Sequence, residues 1–274
     1  MSQGKASGGK FSDLKVRLIS AAVLGAVALV AFIFGGLWSA TLIGVGAGAM
    51  IWEWREMVVG HRQGLRSPGI LMILAAFLGV IVAHLGGPLL GMAVLGAGIA
   101  IGAAWELARL RFIIPGCAYI GLSMIAIEAL RNDFRFGFLS VLWLVLVVIA
   151  VDVGGYFGGR IFGGPKLWPR VSPKKTWSGL IGSVLFAQVA GLLFAIFAGL
   201  SYPAEVALLS VFVALVAVAG DLAESSAKRF FGVKDSSRLL PGHGGILDRV
   251  DGLMAAGLVV AAVSFLRGES IFLW

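Results

Sequence analysis

Nine apolar stretches follow one another along the chain, near residues 18–34, 37–52, 69–85, 88–105, 112–130, 138–151, 179–200, 203–220 and 252–266. In the hydrocarbon core of a bilayer no water reaches the backbone. A crossing segment must therefore be a helix that satisfies its own hydrogen bonds, or part of a closed barrel. These stretches are continuous rather than alternating, which argues against a barrel. Only 13% of the residues are charged and 59% are hydrophobic, whereas a water-soluble domain carries about twice that charged fraction. The sequence thus predicts an all-α polytopic membrane protein with about nine transmembrane helices. Its forty glycines agree with this, because small residues let membrane helices approach closely. The stretches at 37–52, 138–151 and 252–266 are shorter than the roughly 20 residues of a full span. They must borrow flanking residues or lie where the bilayer is thin. The first stretch reads as a retained signal anchor, since eight more follow it.

Lysine and arginine set the orientation. With nine spans and a cytoplasmic N-terminus, all but Arg131, Arg135 and Arg267 of the 22 basic residues fall on the inside. That asymmetry puts the C-terminus on the opposite side. The net charge of +8 is then a matter of topology, and no nucleic-acid partner is expected. Residues 1–17 form a basic cytoplasmic N-terminal arm. Cys117 is the sole cysteine, so no intrachain disulfide or thiolate metal cluster can form.

The unusual chemistry gathers in two inside loops, 152–178 and 221–251. The glycines and prolines of the first predict tight turns in place of a long helix. Amides exposed by such turns, with Arg160, Lys174 and Lys175, can cradle phosphate oxygens. The run Ser172-Pro173-Lys174-Lys175-Thr176-Trp177 leads into the next helix, whose N-terminus favours an anion. In the second loop Asp221, Ser225 and Lys228 recur at i, i+4 and i+7, one helical face if the eighth helix runs on beyond the membrane. Asp248 and Asp251 open the last helix, where the macrodipole favours negative charge, and Asp152 ends the sixth span at the same depth. Oxygen donors without paired His or Cys suit Mg²⁺, which takes one or two carboxylates and completes its shell with water and substrate phosphates. The surrounding cations suit a polyphosphate. His243, between Gly242 and Gly244, could act as a base or bond phosphate or backbone. His84 reads as a satisfied interior residue, His61 as loop, and Trp52 with Trp54 as part of the interfacial aromatic belt.

The pattern Ser225-x2-Lys228-Arg229-x4-Lys234-Asp235-x-Ser237-x2-Leu240-Pro241-x-His243-Gly244-Gly245-Ile246-x-Asp248-Arg249-Val250-Asp251 closely resembles the signature of the phosphatidate cytidylyltransferases, also called CDP-diacylglycerol synthases. Asp152, Tyr156-Phe157-x-Gly159-Arg160 and Ser172–Trp177 resemble that family's second region. Three positions depart from it. Ala227 replaces a larger residue, Gly155 a usual Ala, and Ser178 a common Glu. The resemblance implies transfer of a cytidylyl group from CTP to phosphatidic acid, giving CDP-diacylglycerol and pyrophosphate, with Mg²⁺ and a possible second cation. It implies metal binding by Asp221 and Asp248, with Asp251 or Ser225 assisting, and catalysis by these aspartates with Lys228 and Arg249. Substrate binding falls to Arg160, Ser172, Lys174, Lys175, Thr176, Lys228, Arg229, Lys234, His243, Gly244 and Arg249. Residues 18–274 then form one transmembrane catalytic domain in the cytoplasmic (inner) membrane, with its site facing the cytoplasm. A glycine-rich helical surface permits a homodimer.

Two other readings fail on the residues. Asp248-x2-Asp251-Gly252-x2-Ala255 begins like the motif of CDP-alcohol phosphotransferases, but Ala256 replaces its Arg and no aspartate follows Asp251. A transporter would hold its polar residues near the bilayer midplane, whereas here they collect at the loops.

Overall fold

A computed structural model describes residues 22–60, 67–240 and 244–273. The N-terminal arm, His61, Arg62, Arg66 and His243 lie outside the described residues. Nine α-helices are described: α1 (Ala22–Phe34), α2 (Gly36–Val59), α3 (Ser67–Gly86), α4 (Pro88–Ala103), α5 (Leu110–Arg131), α6 (Gly137–Ile161), α7 (Trp177–Phe197), α8 (Pro203–Phe230) and α9 (Leu247–Arg267). A 3₁₀ turn (Leu107–Arg109) precedes α5, and one antiparallel hairpin, β1 (Lys166–Trp168) with β2 (Ser172–Thr176), joins α6 to α7. Six helices (α3 and α5 to α9) are long and apolar enough to cross a membrane, while α1 and α4 are shorter apolar helices. The chain is a multi-pass, almost wholly helical protein.

Local sequence explains where the helices begin and end. Pro88 and Pro203 open α4 and α8 at positions whose amide has no helical partner. Thr176 caps α7, its hydroxyl accepting the Gly179 N–H at 3.1 Å. Gly268 closes α9 in the left-handed conformation. The three short apolar stretches all extend into their polar flanks, to Val59 in α2, to Ile161 in α6 and back to Leu247 in α9. A helix costs less than exposed backbone wherever the chain is still near lipid.

Two packed clusters share α5 and α9. The first is built from α2 to α5 with Leu247 and Met254 of α9. The second joins α6 to α9 and buries Ile271 and Phe272 of the C-terminal tail. Outside these clusters the surface is apolar, with Leu74, Leu78, Ile181, Leu185, Val189 and Phe212 all well exposed. Such a belt is stable against lipid and not against water.

The glycines after Asp152 do not break the helix as expected; residues 152–161 belong to α6. A β-carbon on Gly154 would lie 2.4 Å from the Gly182 carbonyl oxygen, and one on Gly158 would lie 2.7 Å from that of Ser178. These glycines therefore form a flat stripe on which α7 rests backbone to backbone. Without a hydrophobic force between helices in lipid, this close contact is what holds such a pair together. Residues 221–230 and 247–251 are likewise helical, so the expected second loop contracts to the segment between Phe230 and Leu247.

Polar contacts identify two ends of the bundle. At one end Trp54 of α2 donates to the Phe112 carbonyl of α5 at 3.1 Å, and Arg55 pairs with Glu106. At the other, Arg131 donates to the Phe32 carbonyl at 2.6 Å and His84 Nδ1 meets Glu128 Oε1 at 2.8 Å. His84 is thus a partnered interior residue. The loops singled out for their chemistry lie at the first end.

Candidate active site

A cavity of about 460 Å³ opens at that first end between α6, β2, α7, α8 and α9. Asp152 from α6, Asp221 from α8 and Asp251 from α9 line it, so three separate helices deliver carboxylates to one hollow. Arg160, Lys174, Lys175 and Arg249 line it as well, and so does Thr176. The deeper wall is apolar, with Val148, Leu180, Ala217 and Val218. The space therefore brings three carboxylates and four cations together above a lipid-compatible apolar wall.

Each polar group arrives by a local cause. The hairpin pairs Lys166 with Thr176 and Trp168 with Ser172, which sets Lys174 and Lys175 on the strand feeding α7. Lys175 Nζ lies 2.5 Å from Asp221 Oδ2, and Ser225 donates to Asp221 Oδ1 at 3.2 Å. Asp221 and Ser225 thus share a helix face as the i, i+4 spacing predicts, on a helix that continues to Phe230. The Lys175–Asp221 pair is about a quarter to a third exposed, so solvent screening leaves it worth no more than about 1 kcal/mol. It can open to admit a ligand. Ser178 donates to the Gly163 carbonyl and meets Thr176 Oγ1 at 3.0 Å, so a short hydroxyl ties the hairpin to α7 in place of a carboxylate.

Asp248 has a different environment. Its Oδ1 accepts from Lys228 Nζ at 2.8 Å and from the Ser236 N–H at 3.1 Å; its Oδ2 accepts from the Gly245 N–H at 2.9 Å. Lys228 also faces Glu224 Oε1 at 3.1 Å. Asp248, Lys228 and Glu224 form a buried polar layer behind the cavity, their side chains 5–11% exposed. Asp251, which lines the cavity, follows Asp248 by three residues in α9, so this layer adjoins the cavity wall.

Of the residues singled out in the sequence, Arg160, Lys174, Lys175, Thr176, Asp221, Arg249 and Asp251 converge on the cavity. Asp248, Lys228 and Ser225 stand next to its wall. Arg229 turns to the Val233 carbonyl at 3.1 Å, and Lys234 is exposed on the loop. Ser172 begins β2, away from the lining. Gly244 pairs with Leu240, whose N–H donates to the Gly244 carbonyl at 2.8 Å. Its φ of +89° and the nearness of Asp248 Oδ2 require glycine there.

Two acidic residues escaped the reading of the sequence. Glu224 lies three residues after Asp221 and four before Lys228, and that spacing alone pointed to the site face. Glu53 ends the second apolar stretch between two tryptophans. It is wholly buried, with four hydrogen-bond donors from the signature loop around it.

Comparison with known proteins accords with this geometry. Residues 15–266 match the sequence profile of the cytidylyltransferase family. A phosphatidate cytidylyltransferase of Brucella suis is 41% identical over 267 residues, covering 94% of each chain. That of Haemophilus influenzae is 36% identical, covering 89% of this chain and 96% of its own. That of Bacillus subtilis is 38% identical over 144 residues, about half of each chain. The carboxylate-lined cavity, the signature loop and the near full-length match lead to one conclusion: the chain belongs to the cytidylyltransferase family.

Proposed function

We propose that the protein transfers the cytidylyl group of CTP to phosphatidic acid, releasing pyrophosphate and leaving CDP-diacylglycerol in the membrane. The observation that carries this reading is the cavity itself. Cations and carboxylates meet there above an apolar wall, as a reaction between a nucleotide and a lipid phosphate requires. A phosphate monoester has its second pKa near 6, so at neutral pH phosphatidate is already largely a dianion. It attacks the α-phosphorus directly, a P–O bond forms, and the bond to the pyrophosphate oxygen breaks. No protein base has to remove a proton. His243 is then a phosphate or backbone contact.

The protein's task is to bring two polyanions together and steady the charge that develops on the transferring phosphoryl group. Arg160, Lys174, Lys175 and Arg249 supply fixed positive charge around the cavity. Lys175, held by Asp221 without substrate, would swing to a phosphate. Among the described residues no three His, Cys, Asp or Glu side chains are placed to hold an ion by themselves. Mg²⁺ does not need three, since it keeps waters and substrate oxygens. Asp221 and Asp251, oxygen donors on facing helices of one cavity, fit such a metal; Asp248 would join them only by releasing Lys228. When bound, Mg²⁺ would neutralise the triphosphate. A second cation would draw on the same carboxylates.

The same reading gives the topology. Nine crossings, an N-terminus in the cytoplasm and a C-terminus outside place the cavity at the cytoplasmic face of the inner membrane, where CTP is available. The test is direct. Purified protein in detergent, given labelled CTP, phosphatidate and Mg²⁺, should form CDP-lipid, and chelation of the metal should stop it. Asp221→Asn should lose turnover while expressing normally. A wild type that forms no CDP-lipid overturns the proposal.

A further inference from the structure

The N-terminus of α9 has no cap of its own. Ile246, at the capping position, carries no side chain that could accept a hydrogen bond. The cap comes instead from α2, nearly two hundred residues earlier. Glu53 Oε1 accepts the Ile246 N–H at 2.9 Å and the Ser237 hydroxyl at 2.6 Å. Its Oε2 accepts the Leu247 N–H at 2.8 Å and the Ser236 hydroxyl at 3.4 Å. The carboxylate is 0% exposed, so these bonds are what make its burial tolerable.

Ser236 links this carboxylate to the site. Its hydroxyl turns to Glu53 while its N–H goes to Asp248. Gly245 is fixed from both sides as well, with its N–H on Asp248 and its Cα so close to Glu53 that a β-carbon would lie 2.7 Å from Oε1. The first turn of α9 is therefore clamped between two carboxylates. Arg249 and Asp251, which line the cavity, follow one and three residues after Asp248 on that turn.

We propose that Glu53 is a positioning residue. It fixes the first turn of α9 from α2 and thereby sets Arg249 and Asp251 against the reacting phosphates. This rests on reading the cavity as the active site. The hydrogen bonds described for Glu53 come from Ser236, Ser237, Ile246 and Leu247, and not from the hairpin or α6, which carry Lys174, Lys175 and Arg160. Its loss should therefore disturb the reacting geometry more than substrate capture.

Glu53→Gln tests this, because the amide keeps the size but turns one acceptor into a donor facing backbone N–H groups. In detergent, kcat should fall by about 10²-fold, the scale of a misplacement of about 1 Å, while KM for CTP and for phosphatidate stays close to wild type. Glu53→Asp, which keeps both oxygens, should recover part of kcat. Trypsin should cut at Lys234 and Arg238 faster in E53Q than in wild type, whatever the activity. Unchanged kcat in E53Q, or a KM that rises in step with the loss of kcat, overturns the proposal. If E53Q does not accumulate folded, Ser237→Ala removes only the shortest of the four bonds and should lower kcat several-fold; unchanged kcat there overturns it equally. A wild type without turnover would refute the active-site reading instead, and equal tryptic cleavage of E53Q and wild type would then refute the clamp.

Discussion

The contact between α6 and α7 can be tested by adding a single methyl group. A β-carbon on Gly182 would lie 2.4 Å from the Gly154 carbonyl oxygen and 3.2 Å from the Gly158 Cα. Carbon–oxygen contact is comfortable only about 1 Å further out, and both obstacles are backbone, so the helices must part by about that much. Overpacking of this kind costs about 1–3 kcal/mol, and the absence of any side chain that could yield places Gly182→Ala at the upper end. Alanine returns about 1 kcal/mol of helix propensity, leaving a net loss of about 2 kcal/mol. Gly96 on α4 gives the opposite case, because nothing lies within 4 Å of its would-be β-carbon. Gly96→Ala should be neutral or stabilising by up to about 1 kcal/mol. Unfolding of both variants in mixed micelles by graded SDS gives the two free energies side by side. Turnover should fall in G182A and not in G96A, since α6 carries Asp152 and the strand leading into α7 carries Lys175, and both line the cavity. Equal stability of the two variants would refute the argument that the glycine stripe holds these helices together.

Lys228→Met should destabilise the protein by about 3–5 kcal/mol, because it leaves Glu224 and Asp248 buried without their shared cation. Adding Glu224→Gln should recover part of that loss, and additive losses in SDS unfolding would count against the shared layer. A reporter fused after Trp274 should be active as alkaline phosphatase and dark as a cytoplasmic fluorescent protein; the reverse result would remove the nine-span orientation.

Much of the site was legible because its residues sit close together in sequence. Asp221, Ser225 and Lys228 follow the helical repeat, and α8 continues far enough to present them on one face. Asp248 and Asp251 do open the last helix. The hairpin was not foreseen, because β1 and β2 are too short to show an alternating pattern and form only against each other. The glycines of α6 were read as turns for a related reason. Glycine is a poor helix former in isolation, and only the facing glycine of α7 makes it the residue that fits.

The sequence by itself determined a helical membrane protein, the ends at which its charge collects, and the family signature. Each of these is written in local composition and spacing, through the hydrogen-bonding demands of lipid and the chemistry of neighbouring side chains. Only the tertiary structure decided which carboxylates face the cavity and which brace it. It places Asp251 and Asp152 on the wall, sets Asp248 behind it on Lys228, and brings Glu53 across from α2 to hold the loop. Those partners come from helices far apart in the chain, and a buried carboxylate's role is set by whichever donors the packing brings to it.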